Sequence, residues 1–207
     1  MNWRDKRTVG AILAGGQSSR MGQDKALLPL PGQPMIGQIA KTMQTVFDYV
    51  CVVSDRSAPY QFLDLPIIPD LVKNAGPMGG IHAALRTYHP ENVFVIGCDT
   101  PFISGALIRH ILLMGQGASA CMPKLDGYIH PLCGYYSHTC LAEIERHVRS
   151  GHLKLLDFLD VINARAVDIS TNLPFYSPDL LRNFNEPSTY QSLSRECYRG
   201  ALSKQTL

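Results

Sequence analysis

The stretch TVGAILAGGQSSRMGQDK, residues 8–25, decides how this chain is read. Residues 8–13 are apolar and partly β-branched, the pattern of a short buried strand. They run straight into Gly15 and Gly16, three small polar residues, and then Arg20, Gly22 and Lys25. Glycines let the backbone approach a ligand and turn its amides toward it where a side chain would clash. Arg20 and Lys25 add the positive charge that a nucleotide's phosphate tail requires. The loop is neither the GxGxxG dinucleotide fingerprint nor a P-loop, because no Gly-Lys-Ser/Thr follows. Glycine-rich turns between strand and helix also occur without ligands. What favours a nucleoside triphosphate here is the company of Arg20, Asp24 and Lys25.

Outward from this loop, short apolar runs alternate with helical periodicity. Residues 34–47 carry apolar side chains at Met35, Ile36, Ile39, Met43 and Val46, a helical repeat. Residues 49–53 read as a second strand, and Pro66-Ile67-Ile68-Pro69-Asp70 as a short extended piece. A helix over 79–88 is opened by Gly76-Pro77-Met78-Gly79-Gly80. Residues 93–97 are apolar throughout and predict a central strand; a helix over 104–114 follows. Strand–helix alternation of this kind predicts an α/β fold with a mainly parallel central sheet. The second half is less regular: strands over 118–123 and 130–136 joined by Leu125-Asp126-Gly127-Tyr128, helices over 139–148 and 154–159, and an edge strand over 164–169. Residues 171–188 read as a loop and 189–200 as a helix. The expected organisation is one domain, with a nucleotide-binding half over about 8–115 and an acceptor-side half over about 116–207.

The 207 residues are 45% hydrophobic and 17% charged, with a formal net charge of +2. That balance supplies a core but no polyanion-binding surface, so nucleic acid is not expected as a partner. No apolar run approaches the ~18 residues of a membrane span, and the polar start lacks a signal peptide's apolar core. Six cysteines show no CxxC pair and several sit inside apolar runs, which points to free thiols in a reducing cytoplasm. The seven histidines have no metal-ligand spacing, and His130 reads as a structural residue at a strand end.

Other motifs carry chemistry. In Gly97-Cys98-Asp99-Thr100-Pro101-Phe102, Asp99 follows an apolar strand, at the edge where open parallel sheets bind ligands. A lone carboxylate beside a triphosphate suits Mg2+; Asp-Thr-Pro also caps helices. Cys98 reads as core, not as a nucleophile. Asp70, Asp55 and the amides at Gly76 are further candidates for contact with the nucleotide, each with a plain turn as the alternative. Asn183 and Asn185, in Asn183-Phe184-Asn185-Glu186-Pro187, either lock a turn through their own side chains or touch a second substrate.

LAGGQSSRMGQDK at 13–25, PDLVKNAGPMGG at 69–80 and GCDTPFI at 97–103 together resemble the molybdenum cofactor guanylyltransferases, the MobA family. NFNEP at 183–187 is similar to that family's Asn-x-Asn-Thr-Pro element, with Glu186 in place of the threonine. The resemblance implies a Rossmann-like three-layer nucleotidyltransferase fold and transfer of GMP from GTP to molybdopterin, with release of pyrophosphate. It further implies that Leu13, Ala14, Gly15 and Gly16 touch the nucleotide, that Lys25 touches its phosphates and Asp70 the nucleoside, and that Asp99 holds Mg2+. Asp55 stands where the family often has an asparagine near the nucleotide. Arg20, Lys25 and Asp99 are thus the expected catalytic residues, Asp55 and Gly76 further nucleotide contacts, and Asn183 and Asn185 the acceptor side. Transient protein partners that deliver or take up the pterin fit the same reading. Two rivals stay open: a sister enzyme moving CMP to molybdopterin or a nucleotide to a sugar phosphate, and a non-catalytic nucleotide-binding adaptor.

Overall fold

A computed structural model describes residues 5–15 and 24–184. Gly16, Arg20 and Asn185 lie outside them, as does the helix expected over 189–200. The first half runs β1 (Asp5–Leu13), β2 (Pro29–Leu30), β3 (Gln33–Pro34), α1 (Met35–Gln44), β4 (Phe47–Val53), β5 (Ile67–Ile68), α2 (Gly76–Tyr88), β6 (Asn92–Gly97) and α3 (Gly105–Met114). The second half adds β7 (Ala120–Leu125), β8 (Tyr128–Ile129), β9 (Cys133–Ser137), α4 (Leu141–Ser150), α5 (Leu155–Val161) and β10 (Arg165–Asp168).

The main sheet has the strand order β10-β7-β9-β6-β1-β4-β5, with β8 paired to β7, while β2 and β3 form a separate ribbon. Pairings β1–β4, β1–β6, β4–β5 and β7–β10 are parallel, and β9 alone runs against both of its neighbours in the main order, β6 and β7. This is the mainly parallel sheet expected from sequence. As predicted, β6 is central and β10 lies at an edge. The β2–β3 ribbon and the reversed direction of β9 were not expected, and two further features went beyond the expectation. The Asp126-Gly127 turn does not lead directly to the next long strand; it first folds back as β8, with both turn residues at positive φ. Helix α2 begins three residues earlier than its apolar period suggests, because Gly76 adopts φ +56° and Pro77 suits the first turn.

Alternation along the strands divides the core into two layers. Ile12, Val52, Phe94 and Ile96 face one side with α1 and α3, through Ile36, Ile39, Met43, Leu107 and Ile111. Val9, Leu13, Cys51, Val93 and Val95 face the other with α2, α4 and α5, through Ile81, Leu85, Ile144 and Phe158. Helices on both faces of one sheet make three layers. Each of these side chains contributes about 1.5–3 kcal/mol by leaving water. Among the described residues, no helix is long and apolar enough to cross a membrane.

Cys51, Cys98, Cys121, Cys133 and Cys140 are free thiols, and burial pushes all of them upward: Cys51, Cys98 and Cys140 to about 12, Cys121 to about 11. Alkylation needs the thiolate, of which a pKa near 12 leaves on the order of one part in ten thousand at pH 8. Iodoacetamide at pH 8 should therefore leave the four buried thiols, Cys51, Cys121, Cys133 and Cys140, unmodified in the native protein and label them after denaturation. Rapid native labelling of any one, read by peptide mass, would contradict this burial.

Candidate active site

The site follows from strand register. Leu13 of β1 is level with Val53 of β4 and with Gly97 of β6, and Val53 is level with Ile68 of β5. Four parallel strands therefore end together, and the four connections that follow leave the sheet side by side. Backbone hydrogen bonds continue past the strand ends: Ala14 N donates to Val53 O (3.0 Å), Ser54 N to Ile68 O (2.9 Å) and Cys98 N to Leu13 O (3.2 Å). Ligands bind at this carboxyl edge in open α/β sheets.

A cavity of about 660 Å³ opens there, within the ~300–1,000 Å³ range of small-molecule sites. Leu13, Ala14, Gly15, Asp55, Asp70, Gly76 and Asp99, seven of the residues singled out in the sequence, all line it. Gly80 and Gly97, which belong to two motifs quoted from the sequence, line it as well, while sequence reasoning missed Ser54, Arg56, Asn74 and Leu132. The signal for Ser54 and Arg56 was available, since they follow the second parallel strand as Gly15 follows the first. His130 does not line the cavity, although the connection it belongs to brings Leu132 to the rim, where Gly97 N donates to Leu132 O (2.8 Å).

Asp99 sits on the turn after β6. A Cβ on Gly97 would fall 2.8 Å from Asp99 Oδ1, so only glycine at 97 leaves the carboxylate its place above the strand end. Burial pushes the Asp99 carboxyl above the ordinary carboxylate range; a backbone hydrogen bond, the charge of Lys25 and the Thr100 hydroxyl oppose it in part. Lys25 opens a short 3-10 helix, Lys25–Leu27, and is not among the lining residues, yet its charge reaches both Asp99 and Cys98. Burial is also the main cause that raises Cys98, to about 12, which makes it a neutral thiol and no nucleophile.

Across the cavity, Asp70 stands between two glycines: a Cβ on Gly15 would lie 3.8 Å from its Oδ2, and one on Gly79 3.8 Å from its Oδ1. Burial first, then the charge of Asp55, raises the Asp70 carboxyl. Asp55 is exposed and held below the usual range by Lys73, whose Nζ donates to Asp55 Oδ1 at 2.6 Å; Asp70 N donates to the same oxygen at 3.2 Å. Asp55 and Asp70 therefore form one acceptor-rich wall. In the Gly-Pro-Met-Gly-Gly turn, Gly76, Pro77 and Gly80 reach the cavity, and Gly80 also serves packing, since a Cβ there would meet Leu13 Cδ2 at 2.8 Å.

Asn183 does not line the cavity. Its Oδ1 accepts from Thr100 Oγ1 (2.8 Å), and the next residue's amide, Phe184 N, donates to Asp99 O (2.9 Å). Of the two sequence alternatives for Asn183, the structure shows side-chain locking, though of a distant turn and not its own.

The donor set fits a magnesium ion. Mg2+ is hard, keeps several waters, and binds proteins through one or two carboxylates together with substrate phosphates. Asp99 supplies an oxygen donor whose desolvated charge a cation would offset. Among the described residues, no three His, Cys, Asp or Glu side chains are gathered around one point as a protein-only metal cage.

Comparison with known proteins agrees with this geometry. The family model described as MobA-like NTP transferase domain matches residues 10–165. The chain is 35% identical over 161 residues to a probable molybdenum cofactor guanylyltransferase of Pelotomaculum thermopropionicum, covering 78% of each. It is 30% identical over 189 residues to the molybdenum cofactor guanylyltransferase of Syntrophotalea carbinolica, covering 89% of this chain and 90% of that one. Among solved structures, molybdopterin-guanine dinucleotide biosynthesis protein A from Archaeoglobus fulgidus superimposes with a TM-score of 0.79 at 26% identity, over 92% of this chain and 99% of that one. The matched span begins inside β1, takes in all four ligand-edge connections and ends in β10, and on that ground the chain belongs to the MobA-like NTP transferase family.

Proposed function

We propose that this protein transfers GMP from GTP to molybdopterin in the cytoplasm, forming the guanine dinucleotide form of the cofactor and releasing pyrophosphate. The observation that carries the reading is the convergence of the 13–15, 54–56, 70 and 97–99 segments on one cavity, in a chain of this family.

The acceptor is a phosphate monoester, whose second pKa of about 6 leaves it largely ionised at neutral pH. One of its oxygens bonds to the α-phosphorus of GTP, and the bond from that phosphorus to the bridging oxygen breaks. No side chain has to remove a proton, and none poised to do so is needed. What the protein supplies is alignment and charge neutralisation. Backbone groups at Ala14 and Gly15 meet the nucleotide, Lys25 its phosphates, and the wall of Asp70 and Asp55 the donors of the nucleoside. Asp99 would hold Mg2+, which would supply neutralisation of phosphate charge and so ease departure of pyrophosphate.

A nucleotide panel tests the reading. At about 100 times its dissociation constant, a ligand stabilises the fold by ~2.7 kcal/mol, a rise of roughly 5–10 °C in Tm for a chain of this size. GTP with magnesium should give that rise, ATP, CTP and UTP much less, and pyrophosphate should appear only when GTP and molybdopterin are both present. A preference for CTP would reassign the enzyme to the sister activity. GTP binding with no turnover on a competent acceptor would make it a binding protein.

A further inference from the structure

Among the described residues, the cavity lining carries more negative than positive charge. Asp55, Asp70 and Asp99 contribute three carboxylates, and among the described residues Arg56 is the only cation in the lining. Its guanidinium is fixed from behind. Arg56 Nη2 donates to Asp24 Oδ2 at 2.6 Å, and the buried Tyr60 hydroxyl donates to the same oxygen at 2.7 Å while lying 3.2 Å from Ala14 O. The other carboxylate oxygen, Asp24 Oδ1, accepts from Ala26 N at 3.1 Å and so caps the turn that starts at Lys25. At the root of the same loop, Arg56 N donates to Ser54 Oγ at 3.2 Å.

An isolated surface ion pair contributes little. This one differs, because the Asp24 side chain is only 13% exposed while Arg56 is 58% exposed. The acid is locked by three donors, and the base is anchored through one nitrogen with further N–H groups left to meet a ligand. Guanidinium geometry matches phosphate oxygens in pairs, and a side chain already held in place loses less freedom on binding. The charge of Asp24 is also felt at Cys98, beside Asp99, so the hub belongs to the same electrostatic neighbourhood as the strand ends.

We propose that Arg56 contacts the phosphates of the bound nucleotide, and that Asp24 is a positioning residue holding Arg56 and the start of the Lys25 turn on that side of the cavity. This rests on reading the cavity as a nucleoside triphosphate site.

The test measures calorimetric binding of GTP, inorganic tripolyphosphate and guanosine, with magnesium present and no acceptor, to the parent chain, Arg56→Ala, Arg56→Lys, Asp24→Asn and Asp24→Asn/Arg56→Ala. Circular dichroism checks each fold. Arg56→Ala should weaken GTP and tripolyphosphate roughly ten- to a hundredfold, the worth of a hydrogen bond to a charged group. Guanosine should stay within about twofold, and lysine at 56 should restore part of the loss. Asp24→Asn keeps the acceptor for Ala26 N but removes the charge that holds Arg56, so it should act in the same direction. The double variant should then be no worse than Arg56→Ala alone. Unchanged tripolyphosphate binding in Arg56→Ala overturns the proposal, as does an equal loss of guanosine, which would make Arg56 a base contact. Full additivity in the double variant overturns the role of Asp24. If Asp24→Asn does not fold, the Arg56 variants still decide the phosphate contact, and Tyr60→Phe, which removes one donor from Asp24, decides the hub by a smaller loss of the same kind. A parent chain that binds no GTP defeats the functional reading itself; GTP binding equal in all variants defeats this inference alone.

Discussion

Asp99→Ala is expected to keep its fold and lose roughly 100- to 1,000-fold of its GTP-dependent turnover, the usual cost of removing one electrostatic contact at a transition state. The geometry behind this is narrow. Asp99 sits immediately beyond β6, its carboxylate is cleared by the missing side chain of Gly97, and its main-chain oxygen is tied to Phe184 N. Asp99→Asn should lose almost as much turnover, because the amide keeps the shape and discards the charge. With EDTA present, Asp99→Asn should melt no lower than the parent chain and slightly higher at neutral pH. The sign follows from burial, which raises this carboxyl group. The group's favourable contribution is complete below the unfolded carboxylate value near ~3.9 and is lost as pH rises through the folded value, so at pH 7 the ionised acid is a cost that asparagine removes. The difference should therefore shrink as the pH falls. Turnover in Asp99→Ala within about threefold of the parent would remove Asp99 from the mechanism.

Phe184→Ala is expected to cost about 3–5 kcal/mol of stability, the range for deleting a fully buried phenylalanine, and to lower Tm by roughly 10 °C. Phe184 is fully buried in a small cluster with Leu28, Leu30 and Met35, apart from the two main layers. It also packs against Phe102, ring centroid to ring centroid 5.7 Å. Leu28 follows the Lys25 turn and Phe102 follows Asp99 by three residues, so one ring braces both segments proposed to carry the chemistry. Turnover should fall in Phe184→Ala even at temperatures where the chain is still folded. Phe184→Leu, which refills most of the space, should recover stability and turnover together. A denaturant midpoint corresponding to less than about 1 kcal/mol would show that this ring braces nothing.

Much of the site was legible because it follows from local order. An apolar run ending in Gly97-Cys98-Asp99 places an acid at a strand end, and a second run ending in Leu13-Ala14-Gly15 places a glycine beside it. Once both are taken as parallel strands, the sheet brings them level. The missing parts depend on separations that no local pattern encodes. Arg56 and Asp24 are 32 residues apart, Tyr60 and Asp24 36 apart, and Thr100 and Asn183 83 apart. Asn183 illustrates the difference. Its residue type and loop setting suggested a turn or a ligand, whereas its partner is a threonine that only the folded chain brings near. Likewise β8 escaped notice because two residues are too few to display a period, and the reversed direction of β9 carries no signature in its own composition.

That reversal has a further effect. Because β9 runs opposite to β6 and β7, it starts at the edge where those two finish, and the connection that enters it brings Leu132 to the rim of the cavity. Most of the cavity's described lining thus comes from the ends of early parallel strands, while Leu132 is set there by a later, antiparallel connection. A change confined to that connection would reshape one lip of the cleft and leave the parallel strand ends beneath it as they are.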